Sequence, residues 1–101
     1  MLRDFFLGII KIHILYHATK KPVYGAELSE ELEHHGYQVS PGTLYPVLHG
    51  LEKEGLLTSR KTAVEGKIRR YYQATSKGIE ALQEARSRVR ELVREVILEE
   101  I

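Results

Sequence analysis

The chain has 101 residues, 15 lysines and arginines against 14 aspartates and glutamates, and no cysteine. That length suits one domain with a modest core, and the near-neutral charge argues against a uniformly basic nucleic-acid coat. The lack of cysteine excludes a disulfide framework, a thiolate nucleophile and a thiolate-held metal, and it is compatible with a reducing cytoplasm. Nothing approaches the run of about eighteen uncharged apolar residues that a membrane span needs, so no membrane partner is expected. The start, Met1 to Asp4, lacks the layout of a signal peptide.

Residues 2–18 form the first predicted helix. Leu2, Phe5, Phe6, Leu7, Ile9, Ile10, Ile12, Ile14 and Leu15 fall on nearly every face, more than a small monomer can cover. Part of this helix, Phe5 and Phe6 included, is therefore expected to meet a second subunit. Pro22 ends the helix and forces an extended linker. Residues 24–35 read as a second helix, with Tyr24, Leu28 and Leu32 at i, i+4 and i+8 and Gly36 as its terminating residue.

A third helix is marked at both ends. Ser40 is suited to cap it, Pro41 to occupy its first position, and Gly55 to close it in the left-handed conformation. Leu44, Val47, Leu48 and Leu51 make its apolar stripe, which leaves Thr43, Tyr45, Pro46, His49 and Lys53 opposite. Helix, short turn, capped helix is the helix-turn-helix plan, and such a polar and aromatic face suits the reading of DNA. Tyr45, Thr43 and His49 are the candidates for base contact, with Ser40 and the first amides available to phosphate. The plain alternative is a core helix with a solvated face and a tyrosine ring packed on a neighbour. Pro46 implies either a helix that starts near Thr43 or a kink.

After Gly55 the period changes to two. Residues 56–61 and 67–75 read as strands joined through Val64-Glu65-Gly66, a hairpin directly behind the third helix. If Ala74 faces inward, so do Tyr72 and Arg70, while Arg69 and Tyr71 face out. Arg60, Lys61, Lys67, Arg69 and Arg70 stand here against the single acid Glu65, which suits a wing that reaches phosphates. A merely solvated hairpin is the plainer explanation. Thr75 can cap a last helix from residue 76 to the C-terminus. Leu82, Ala85, Val89, Leu92 and Val96 repeat every three or four residues, and Val93 widens the seam, as in a coiled-coil dimer.

His13 and His17 lie one turn apart, a spacing that can hold a metal, but their helix supplies no further ligand. His34 and His35 are adjacent and point apart, so the packed or half-exposed reading is preferred and no metal site is assigned. No phosphate loop, nucleophile elbow or zinc-protease motif occurs, so neither an enzyme nor an organic cofactor is expected.

Several runs together resemble the PadR-like transcriptional regulators, the short type with one C-terminal helix. They are Pro22-Val23-Tyr24-Gly25-Ala26-Glu27-Leu28, Ser40-Pro41-Gly42-Thr43-Leu44-Tyr45-Pro46 and Leu51-Glu52-Lys53-Glu54-Gly55, followed by Lys67-Ile68-Arg69-Arg70-Tyr71-Tyr72 and by Thr75 with Gly78 and Leu82. The resemblance implies a winged helix-turn-helix over residues 1–75 and a dimerisation helix over 76–101, in a mainly α fold with a small β-hairpin (α+β). It also implies a homodimer on a near-palindromic operator in double-stranded DNA. A repressor released by a small aromatic or drug-like effector at or near the dimer interface is the expected function. A winged-helix module that binds only proteins, or a metal-responsive regulator, is the alternative.

Overall fold

The computed structural model describes residues 1–100. Four helices, α1 (Leu2–Lys20), α2 (Gly25–His34), α3 (Pro41–Lys53) and α4 (Ser76–Leu92), surround an antiparallel sheet. Its strands β1 (Val23–Tyr24), β2 (Leu57–Val64) and β3 (Lys67–Ala74) are ordered β1-β3-β2. Buried residues from every one of these elements meet in a single core: Ile10, Ile14, Leu15 and Ala18 of α1, Val23, Leu28 and Leu32, Leu44, Leu48 and Leu51, Leu57, Tyr72 and Leu82. Each fully buried leucine contributes about 1.5–3 kcal/mol relative to exposure.

The expected second helix begins one residue late. Tyr24 is extended and pairs with Tyr71, while Val23 pairs with Tyr72. Pro22 therefore does more than break α1: it launches a third strand that locks the front of α2 to the hairpin. Leu28 and Leu32 face the core as their spacing requires, whereas Tyr24 stacks edge-on against Tyr71.

Both internal helices end as their glycines demand. Gly36 and Gly55 take φ of +86° and +80°. After α2, Gly36 N–H donates to Glu33 O and Tyr37 N–H to Leu32 O, while after α3, Gly55 N–H donates to Glu52 O and Leu56 N–H to Leu51 O. Both are the paired 6→1 and 5→2 bonds of a Schellman motif, which satisfy the last carbonyls and turn the chain sharply. These two turns set α3 between α2 and the sheet.

α3 runs unbroken through Pro46, so its start lies at Pro41 and not near Thr43. Pro46 has no N–H to offer Gly42 O, and that carbonyl, at the second residue of the helix, is left without its helical donor. The last helix departs from expectation. It keeps α-helical bonding only to Leu92, is π-helical over Val93–Ile97 and does not continue through residues 98–100; Ile101, where the expected helix ended, lies outside the described residues.

The molecule measures 54 × 28 × 20 Å, with a radius of gyration of 14.8 Å. A compact chain of 100 residues has about 13 Å. The excess reflects how the chain leaves its own core at the C-terminal side: no residue after Leu82 is buried among those described.

Candidate nucleic-acid interface

The site begins with the exposed side of α3. Ser40 holds the N-cap position in extended backbone, but its hydroxyl makes no cap bond, contrary to expectation. Its Oγ lies 3.4 Å from Thr43 Oγ1 instead. No side chain therefore caps the start of α3, and the positive end of the helix dipole faces outward with Ser40, Pro41 and Gly42 exposed. Pro46 and His49 continue this exposed surface, and Thr43 is half-buried beside it.

Tyr45 has two roles. Its side chain crosses the first residue of α2 so closely that a Cβ at Gly25 would collide with the phenol ring and hydroxyl. A side chain at position 25 would therefore have to displace the Tyr45 ring, and this contact is the neighbour packing that the plain alternative described. Yet Tyr45 remains 41% exposed, so the residue is positioned by Gly25 without being enclosed.

The hairpin stands beside α3. Leu57 pairs with Ala74, and the register continues without a bulge to Val64 opposite Lys67. Glu65 and Gly66 both have positive φ, +51° and +78°, the signature of a two-residue type I′ turn. Tyr72 is buried as the alternation requires, and burial raises its phenol above the ordinary value. From Arg60 to Arg70 no residue is buried, so the outer half of the hairpin projects as a wing.

The five wing cations fall into two groups. Arg69 lies over the Tyr24 ring, 4.4 Å from its centroid, and a hydrogen bond to Tyr71 leads the causes that hold its guanidinium above its usual value. Arg70 Nη1 donates to Ser59 Oγ at 2.9 Å, and Ser59 Oγ donates to Glu52 Oε2 at 2.7 Å. That chain fastens the wing to the last turns of α3. Arg60, Lys61 and Lys67 are exposed and enter no ion pair among the described residues. Tyr71 is half-buried between Tyr24 and the Arg69 side chain.

Behind the wing, Thr75 ties the site to α4. Its hydroxyl donates to Gly55 O at 2.6 Å and accepts from Gly78 N–H at 3.0 Å, so one side chain joins the end of α3 to the start of α4. Lys77 Nζ adds a bond to Glu54 O at 2.9 Å. Gly78 lies on the Leu56 carbonyl, where any Cβ would overlap backbone. Neither Gly25 nor Gly78 announces its role by spacing, because the group that crowds it, the Tyr45 ring or the Leu56 carbonyl, comes from another element.

The residues expected at a dimer interface separate. Leu82 is corrected: at 3% exposure it belongs to the protomer's own core, beneath α1. Phe6 is half-buried, edge-on to Tyr37 with ring centroids 5.6 Å apart, whereas Phe5 is exposed. Ala85 and Val93 are half-buried, and Val89, Leu92 and Val96 are exposed, the last two at 49% and 63%. Burial, followed by the nearby His35 and His17, lowers the His13 imidazole below its ordinary value.

Comparison with known proteins agrees with this geometry. The description "Transcriptional regulator PadR-like family" matches residues 14–84. Transcriptional regulator Rv3488 of Mycobacterium tuberculosis is 51% identical over 96 residues, spanning 95% of this chain and 90% of its own. A PadR family transcriptional regulator from Eggerthella lenta superposes with a TM-score of 0.85 at 31% identity, covering 100% of this chain and 91% of that one. A PadR-like transcriptional regulator from Bacillus cereus gives 0.79 at 37% identity, covering 88% of each chain.

Proposed function

The chain belongs to the PadR-like family of transcriptional regulators, and from that premise we propose that it is a homodimeric repressor of a near-palindromic operator. Two copies of α3 enter successive major grooves, and the two wings flank them on the phosphate backbone. Thr43, Tyr45 and His49 address base edges, while Ser40 and the Gly42 N–H, the one first-turn amide not bonded to Ser40 O, take a phosphate. The supporting observation is the pairing of that uncapped, exposed helix start with a wing whose Arg60, Lys61 and Lys67 have no ion-pair partner among the described residues. Arg69 and Arg70 shape the wing and supply further charge from positions already anchored.

The dimer forms through the outer half of α4 and the turn after it, Val89 to Val96, with Phe5 of α1. It sets the recognition helices about 34–36 Å apart, one turn of DNA, or a multiple of that distance. Release by a small aromatic or drug-like effector is supported by a groove of about 430 Å³ between α1 and α3. Leu7, Val47 and Leu51 give it apolar walls, with Arg3, Lys11 and Lys53 among its lining residues. A ligand held there touches the same α3 turns that carry Thr43 and Pro46.

Fluorescence anisotropy on the DNA upstream of its own gene, against scrambled duplex and across a salt series, tests the reading. The expected result is preferential binding whose affinity falls steeply with salt, by about 0.9 in log–log slope for each phosphate neutralised. A folded dimer with no preference for that DNA, and no affinity for duplex at low salt, would sink it and favour the protein-binding alternative.

A further inference from the structure

The packing of α2 on α1 gathers three histidines that the DNA interface does not use. His13 and His17 project from one side of α1, and His35 stands at the C-cap of α2. One ring nitrogen from each lies within 4.8 Å of the other two. The His13 and His35 rings are stacked, 4.8 Å between centroids and 25° between planes, with Tyr37 5.6 Å from His13. Across the same helix pair, His17 Nε2 is 4.0 Å from Glu31 Oε2. Glu31 also lines a cavity of about 150 Å³ beside His17, together with Glu27, whose buried Oε1 has no hydrogen-bond partner.

We propose that His13, His17 and His35 form a binding site for a divalent transition-metal ion of the zinc class, with Glu31 as the fourth ligand. Aromatic stacking alone accounts for His13 and His35, but it leaves unexplained why His17 brings a third ring nitrogen to the same place, with the Glu31 carboxylate beside it. Zinc held tetrahedrally at about 2.0–2.1 Å from nitrogen places its donors about 3.4 Å apart. From within 4.8 Å of one another the ring nitrogens reach that distance by closing at most about 1.4 Å, with the stacked His13 and His35 rings turned toward a common point. His35 is exposed at a helix end and has room for it. Three imidazoles and one carboxylate, without a thiolate, select zinc, nickel or cobalt over copper(I), and over calcium or magnesium, which prefer all-oxygen shells.

The ion clips α1 to the last turn of α2, directly before Gly36 and Tyr37 lead toward α3. The site is thus placed to bias the angle at which the recognition helix is presented.

Zinc and cobalt(II) chlorides, titrated into the intact, chelator-stripped protein, test the assignment without any DNA readout. The expected result is one ion per protomer, with the visible absorption of tetrahedral cobalt. Removing a group that merely hydrogen-bonds to a metal ligand already costs about 10–100-fold in affinity, so His35→Ala and His17→Gln should each weaken zinc at least about a hundredfold. Their metal-free melting curves should match the parent. Glu31→Gln should weaken zinc by about tenfold and shift the cobalt spectrum. A parent protein that takes up neither metal overturns the site. So do His35→Ala and His17→Gln variants that bind like the parent, and an unaltered Glu31→Gln removes Glu31 from it.

Discussion

At the junction of α3 with α4, one threonine hydroxyl donates to Gly55 O and accepts from Gly78 N–H, a lysine reaches Glu54 O, and Ser59 links Glu52 to Arg70. Further along the chain, Val89, Leu92 and Val96 lie open on a segment that has left the core. The first region ties α3, the wing and α4 together through polar bonds at or near the surface. The second keeps its apolar surface uncovered. The contrast teaches that α3, the wing and α4 are tied together within one protomer, whereas the segment beyond Leu82 leaves apolar surface for the proposed dimer to cover.

The hardest test of the tied half is Gly78→Val. Its Cβ would overlap the Leu56 carbonyl, which is backbone and cannot step aside, so the melting transition should register a destabilisation of about 3 kcal/mol. A variant as stable as the parent would mean that α4 is free to shift at its start. The open half is tested by Leu92→Glu, which should sediment as a monomer and weaken operator binding by about a hundredfold as bivalent binding is abolished. A persistent dimer in the ultracentrifuge would place the interface elsewhere.

Thr75→Ala removes one cap and the bond to Gly55 O together, and chemical denaturation should register about 1–2 kcal/mol. Retained stability would show that backbone contacts alone hold the junction. The smallest effect separates the two groups of wing cations. Lys61→Ala with Lys67→Ala should flatten the salt slope by about 0.9 for each phosphate that is no longer neutralised. Arg69→Ala with Arg70→Ala should flatten it as well, and should also lower the melting temperature, because those side chains hold Tyr24 and Ser59. Equal melting temperatures for the two pairs would erase the distinction between anchored and free cations.

Much of this frame is legible along the chain. Period-two alternation around Tyr72, the helical stripe of Leu44, Leu48 and Leu51, the closing glycines 36 and 55 and the capping Thr75 all act through neighbours a few residues away. Such signals survive in a linear reading because their physics is local: a left-handed φ, a buried face, an oxygen three residues ahead of an amide. The short runs around Ser40 and Arg69 carry the resemblance to the PadR-like regulators for the same reason.

The rest required the fold. Tyr24 fits the helical period but is a strand residue, because pairing with Tyr71 and stacking on its ring outweigh the extension of α2 by one residue. Leu82 fits a coiled-coil seam but is buried under α1, since periodicity marks an apolar face without saying what covers it. Gly25 and Gly78 are crowded by Tyr45 and by the Leu56 carbonyl, and Arg69 and Arg70 are partly committed to Tyr24 and Ser59. The histidines show the division most clearly. Sequence by itself places His13 and His17 on one side of a helix, and helical geometry alone guarantees that. Only tertiary packing, which lays the end of α2 across α1, brings His35 and Glu31 to them, because contacts between distant segments are set by how whole faces fit together.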